Sequence, residues 1–270
     1  MISNILSNLP TVTKNFLIIN VLLLLATLVF EGQFPLINML GAHNFLSPLF
    51  EPYQMVTHFF MHSGIPHLFF NMFALVMFGG HLERIWGQKR FFWFYIISAL
   101  GALVFYAGYS TWEMYQMKQE ILAEPDGAAI LNFLNEIILE AGNTGAELKG
   151  VFENKMGEAI DNDMYNFSAS NPYIYGDYVY SGFVPMVGAS GAIYGILVAF
   201  AVLFPNTQLM LLFPPIPIKA KYLVGFLMII SLYFSFVEDG SNIAHLAHLG
   251  GGVIGFILVK FWQKDRTQFY

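Results

Sequence analysis

Ser190 stands in the run Gly188-Ala189-Ser190-Gly191, where a small-residue turn gives way to the apolar stretch AIYGILVAFAVLF. His245 and His248 open a second apolar stretch, and His67 and Asn71 sit four residues apart in a third. A serine hydroxyl is a poor nucleophile until a base takes its proton, and a neutral imidazole is the side chain suited to that near pH 7. Attack on a carbonyl creates an oxyanion, which needs donors already in place. At a helix start, Ser190 would offer its own free backbone N–H, aided by the positive end of the helix dipole. Asn71 has an amide NH2 to donate and His67 a ring N–H, and their spacing puts both on one helix face. The set could perform acyl transfer with a Ser–His dyad, since no carboxylate lies inside these apolar stretches to complete a triad.

Each residue also has a plainer role. Gly191 with Gly195, and Gly251 with Gly255, form two GxxxG pairs of the kind that let membrane helices approach closely. A serine among such glycines serves packing, a histidine near a helix end can be an interfacial anchor, and Asn71 could lace two helices together. The two roles make one demand, however, because close approach of two glycine faces is also what a short Ser–His contact requires.

The elements that carry these residues read as membrane spans. Of 270 residues, 56% are hydrophobic and 11% charged, less than half the charge of an ordinary soluble domain. Six segments, near 15–31, 65–82, 91–110, 188–205, 220–237 and 243–262, are apolar over about the length a bilayer needs. The first lacks the small-residue pattern of a cleaved signal peptide. Connections holding Lys14, then Arg84, Lys89 and Arg90, then Lys219 and Lys221, then Lys260, Lys264 and Arg266 alternate with connections holding Glu31 and Glu51, a long acidic insert, and Glu238 with Asp239. The positive-inside rule then places both termini in the cytoplasm, and the short tails suit a bacterial inner membrane. In this topology His67, Asn71, Ser190, His245 and His248 all fall within the first turns of inward-running helices, in one layer roughly 5–10 Å below the outer surface.

Residues 111–187 break the pattern with twelve acids and three lysines. Apolar spacing of three and four predicts two or three amphipathic helices there, followed by a tyrosine-rich return to the membrane suited to an interfacial belt. The expected organisation is thus 1–110 as spans one to three, 111–182 as an extracytoplasmic acidic insert, and 183–270 as spans four to six with a cytoplasmic tail. The fold class expected is an all-α polytopic membrane protein, a six-helix bundle with a soluble, partly helical insert between helices 3 and 4. With no cysteine, disulfide and thiolate chemistry are excluded, and the scattered basic residues give no sign of nucleic-acid binding.

The chain resembles the rhomboid intramembrane serine proteases. GASGAIYG resembles their GxSG motif, HFFMHSGIPHLFFN their second-helix histidine and asparagine pattern, HLGGGVIG their H-x-x-G-x-x-x-G, and GGHLERIWG the Glu-Arg turn closing their second helix. The resemblance implies Ser190 as nucleophile and His248 as general base, with glycines at +3 and +7, leaving His245, which has a glycine at +7 but His248 at +3, as the second choice and a neighbour of the base. It implies His67, Asn71 and the Ser190 amide as an oxyanion hole, Gly188 as the residue keeping the turn open, and Tyr194 as an aromatic packed on the base. It implies no cofactor and no metal, with transmembrane protein substrates and the lipid bilayer as partners; the oligomeric state stays open. Two departures stand out: Tyr53-Gln54 replaces the family's frequent Trp-Arg, which puts the usual anchoring of the first loop in doubt, and the acidic insert is long enough to select or gate substrates.

Other readings remain. A relative without catalysis could bind membrane helices. His58 and His62 have a metal-ligand spacing, but Phe59 stands where a zinc protease needs its glutamate. A transporter would be expected to bury carboxylates that these helices lack.

Overall fold

The computed structural model describes residues 8–30, 33–141, 145–162, 173–210, 216–237 and 242–264. Glu31, Glu238, Asp239 and Arg266, used above for the topology, lie outside them, as do Asn171 and Pro172. The described residues are mostly helical. In chain order the helices are α1 (Thr11–Val29), α2 (Leu36–Leu40), α3 (Gln54–Thr57), α4 (Ile65–Trp86), α5 (Gln88–Leu122), α6 (Gly127–Glu140), α7 (Gly145–Asp161), α8 (Ile174–Phe183), α9 (Ser190–Leu203), α10 (Ala220–Val237) and α11 (Asn242–Lys264). Strands β1 (Gln208–Met210) and β2 (Pro217–Lys219) pair antiparallel between α9 and α10. Five helices, α1, α4, α5, α10 and α11, are long and apolar enough to cross a membrane, so this is an integral membrane protein. The fourth expected span is shorter: α9 has 14 residues, or about 21 Å, against the roughly 30 Å of a hydrocarbon core.

The chain forms two compact units. The first comprises residues 1–24, 59–106 and 188–270. Its core joins Phe16, Leu75, Phe91, Phe94, Tyr95, Ile193 and Ile196 from α1, α4, α5 and α9. Nine of the 14 residues of α9 are buried, and its glycines explain how. Gly195 faces the Ser98 side chain of α5, where an added Cβ would lie 2.7 Å from Oγ, and a Cβ at Gly255 of α11 would lie 2.6 Å from the Gly195 Cα. A Cβ at Gly251 would run into the Gly191 carbonyl oxygen. The contacts pair 191 with 251 and 195 with 255, so α9 and α11 run parallel, backbone against backbone. Glu83, buried near the end of α4, accepts from the backbone N–H groups of Val12 and Thr13 at 2.9 and 2.8 Å and from the Thr13 hydroxyl at 2.8 Å. It satisfies orphan donors at the start of α1 and complements the helix dipole there, which accounts for a buried acid in a bundle that has no place for a free one.

The second unit comprises residues 25–58 and 107–187. The stretch TWEMYQMKQEIL was expected to form a helix of its own; it instead continues the third span, giving the 35-residue α5. No proline or glycine interrupts 109–122, and Pro125 is the first breaker. The tyrosine-rich segment also differs from the interfacial belt expected of it. Tyr175, Tyr178, Val179 and Phe183 recur at helical spacing and are buried with Ile130, Leu134, Ile137 and Ile138 of α6, so most of α8 serves a local core.

The first loop joins this unit through buried polar groups. Ala42 and Met186 exchange backbone hydrogen bonds of 2.9 and 2.8 Å. The His43 ring nitrogens lie 2.8 Å from the Asn38 carbonyl and 3.3 Å from that of Gly182. Burial pushes the His43 imidazole below its ordinary pKa despite those two carbonyls. Gln54 supplies the anchoring that the missing Trp-Arg put in doubt. Its Oε1 accepts from the His43 and Glu51 N–H groups at 3.3 and 3.1 Å, and its Nε2 faces the Leu49, Met39 and Asn38 carbonyls at 3.1 to 3.5 Å. Gln54→Ala would strand these buried groups, each costing about 1–3 kcal/mol when unmet. We expect a loss of about 2–4 kcal/mol, read as a lower midpoint in thermal unfolding, while Gln54→Glu should also fail because its second oxygen would face three carbonyls.

Candidate active site

Ser190 is the first residue of α9, after Ala189, whose carbonyl accepts from Ile193 N–H at 3.0 Å. The run reverses at Gly188, whose φ of +120° disfavours any residue with a side chain. A Cβ at Gly188 would also lie 2.7 Å from both Cε1 and Nε2 of His67. The glycine therefore serves two ends at once: the backbone turns, and the His67 ring closes to within contact of the turn that leads to Ser190.

On α11, His248 Nε2 lies 2.9 Å from Ser190 Oγ. The parallel glycine contact explains the closeness. Gly191 follows Ser190 directly, and Gly251 is one turn beyond His248, so a close backbone approach lies beside the Ser–His pair. Tyr194, one turn along α9, stacks flat on the His248 ring, with centroids 4.3 Å apart and planes 4° from parallel. The Ser231 hydroxyl of α10 donates to the Tyr194 oxygen at 3.3 Å. His248 Nδ1 is buried without a hydrogen-bond partner among the described residues. Among the described residues no carboxylate is bonded to this imidazole, and the Tyr194 face lies against it. His245 lies edge-on to His248 at 5.9 Å and against Phe234 at 5.2 Å, and the contact with Ser190 is made by His248.

On α4, His67 and Asn71 are each held by a residue that their own spacing does not reveal. Ser63 Oγ lies 3.1 Å from His67 Nδ1, and His62 Nε2 lies 3.1 Å from Asn71 Nδ2. His62 is almost fully buried, with its ring 4.9 Å from that of His67. The sequence drew attention to His62 as half of a metal-like spacing and within the motif that ends at Asn71, without a role of its own. Its partner is nine residues on, across the Gly64–Pro66 turn, a relation that periodicity does not encode. Among the described residues no three His, Asp or Glu side chains gather where a metal ion could be held, and His58 Nδ1 lies 2.9 Å from the Gln54 carbonyl.

The sequence model of the Rhomboid domain matches residues 49–115 and 151–263, well over half the chain. The chain belongs to the rhomboid family. Among curated proteins it is similar to RHOMBOID-like protein 12, mitochondrial, of Arabidopsis thaliana, at 26% identity over 243 residues, which cover 89% of this chain and 55% of that protein. It is also similar to RHOMBOID-like protein 6, mitochondrial, of the same plant, at 37% identity over 54 residues, covering 20% of this chain and 18% of the relative. The chain thus spans about half the length of the first relative and under a fifth of the second. No solved structure matches it significantly. Within this rhomboid, Ser190 and His248 both fall inside the second matched stretch, and His67 and Asn71 inside the first.

Proposed function

We propose that this rhomboid is a serine endopeptidase that hydrolyses peptide bonds in or near transmembrane segments of other membrane proteins. The observation that carries the reading is the 2.9 Å contact between Ser190 Oγ and His248 Nε2. Nε2 takes the hydroxyl proton as Ser190 attacks the carbonyl and delivers it to the departing amine; a water that gives its proton to Nε2 then cleaves the acyl ester and the Ser190 hydroxyl is restored. The imidazolium formed in between faces the Tyr194 ring, whose negative face offsets part of its charge. The Ser190 N–H, the His67 ring and the Asn71 amide receive the oxyanion. A relative that merely binds helices would have no need of a serine–imidazole contact, which disfavours the non-catalytic reading. Reaction of wild-type protein with a fluorophosphonate probe, located at Ser190 by mass spectrometry, together with cleavage of a single-span substrate, tests the proposal. No labelling and no cleavage would end it.

Asn71 is assigned to the oxyanion, with His62 as a positioning residue. With the proton on Nδ1, His62 Nε2 would accept from the Asn71 NH2 at 3.1 Å and keep the amide from turning its oxygen inward, leaving the second N–H of that group for the substrate. Asn71→Ala is expected to lower kcat by about 10²–10³, the usual consequence of losing one such donor, with KM little changed. His62→Phe should show part of the same kcat loss. A change confined to KM would contradict the assignment.

The proposed topology has six spans, α9 counted as one of them, with both termini on the cytoplasmic side. The mitochondrial names of both plant relatives do not favour the bacterial inner membrane expected from the short tails, so the location proposed is an integral membrane without further specification. The proposed substrates are membrane proteins, in keeping with the family.

A further inference from the structure

Three of the chain's four tryptophans surround one open cavity of about 500 Å³. Trp86 closes α4, Trp93 lies on the second turn of α5, Trp262 stands near the end of α11, and Gly87, Gln88, Lys89 and Arg90 complete the lining. Among the described residues no acid lines this cleft, and no ion pair involves either cation. Glu83, three residues before Trp86, is spent on the start of α1. The Arg90 guanidinium lies 5.2 Å over the Trp262 ring. Stacking occupies a face of the guanidinium and leaves its N–H edge to meet an anion. Beyond the cleft, Trp93 is 50% and Ile97 38% exposed, one turn apart on α5, so an apolar strip leads away from the cations.

We propose that this cleft binds the phosphate headgroup of an anionic membrane lipid, with its acyl chains along the Trp93–Ile97 flank of α5. The shared chemistry is that of any phosphate, but the surroundings select the lipid. A free anion would use the two cations alone. Three indoles are the side chains that settle at the boundary between headgroup and hydrocarbon, and an exposed apolar strip adds contact only for a ligand with chains. Cations beside a membrane surface favour anionic over zwitterionic headgroups by about fivefold each. The cleft lies about 20 Å along α11 from His248, so changes there leave the Ser190 region untouched.

The test uses the full chain, purified in a mild detergent and offered phosphatidylglycerol or phosphatidylcholine with the same acyl chains. Native mass spectrometry reads how much of each stays bound, and brominated-chain versions of both lipids read proximity through quenching of tryptophan fluorescence. Wild-type protein is expected to retain phosphatidylglycerol preferentially. Lys89→Gln should cut the preference about fivefold and the Lys89→Gln, Arg90→Gln double variant about thirtyfold, and millimolar inorganic phosphate should not displace the lipid. Equal retention of the two lipids in wild type, an unchanged preference in the double variant, or displacement by inorganic phosphate would each overturn the proposal. Should Arg90→Gln unfold the bundle by releasing Trp262, Lys89→Gln alone still decides, because the Lys89 side chain is exposed.

Discussion

Replacing Ser190 by alanine is expected to lower cleavage of a single-span substrate by about 10⁴–10⁶ in kcat while leaving the stability, read by thermal unfolding, within about 0.5 kcal/mol of wild type. The two halves of the expectation come from different features. Ser190 is only partly buried, and its hydroxyl has one recorded partner, His248 Nε2, so the fold loses little. Chemistry loses nearly everything, since among the described residues no other hydroxyl is hydrogen-bonded to the imidazole. His248→Ala should fall to a similar floor, and the double variant should fall no further, because nucleophile and base act as one unit. The residual rate would belong to the donors and to binding. Rates are to be measured with enzyme reconstituted in vesicles, and an active Ser190→Ala protein would remove the proposed mechanism.

Gly251→Ala should damage both stability and turnover. The new methyl would meet the Gly191 carbonyl oxygen, and a backbone atom cannot rotate away as a side chain can. Overpacking a tight contact costs typically 1–3 kcal/mol, and the upper end applies here because relief requires the two helices to part. Any such movement opens the Ser190–His248 contact, which is less than one turn away. A displacement near 1 Å costs on the order of 10² in rate, so kcat should fall about a hundredfold even in protein that still folds. Gly225→Ala is the control. It also lies in a membrane helix, but nothing stands within 4 Å of its added Cβ, so it should be neutral in both measurements. Equal behaviour of the two variants would mean that the glycine seam does not set the geometry.

Much of this arrangement was legible in residue order because the reactive groups and the packing groups share motifs. Gly191 and Gly195 announce a close helix contact, and Ser190 is adjacent to the first of them, so the pairing with the glycine-bearing helix of His248 could be read before any coordinates. The family followed from the same motifs. What stayed hidden depended on turns. His62 and Ser63 meet Asn71 and His67 only because the chain folds back across Gly64–Pro66. Gln54 anchors the first loop by collecting five backbone groups from different segments, a fit that the replacement of Trp-Arg by Tyr-Gln could not reveal. The extents of α5 and α9 were hard to read for opposite reasons. Amphipathic residues after 110 continue a helix without a breaker, whereas the apolar run after Ser190 outlasts its helix at Leu203.

The short α9 has one further consequence. Where a lipid-facing helix falls short of the hydrocarbon, the bilayer thins locally to meet it. Protein surrounds α9 along most of its length, so acyl chains cannot follow it inward. With α9 counted as a span, we expect the mismatch to be taken up by neighbouring helices instead of by lipid, with the level of Ser190 following scaffold contacts. It should stay at that level in thick and thin membranes alike, making the protein its own ruler.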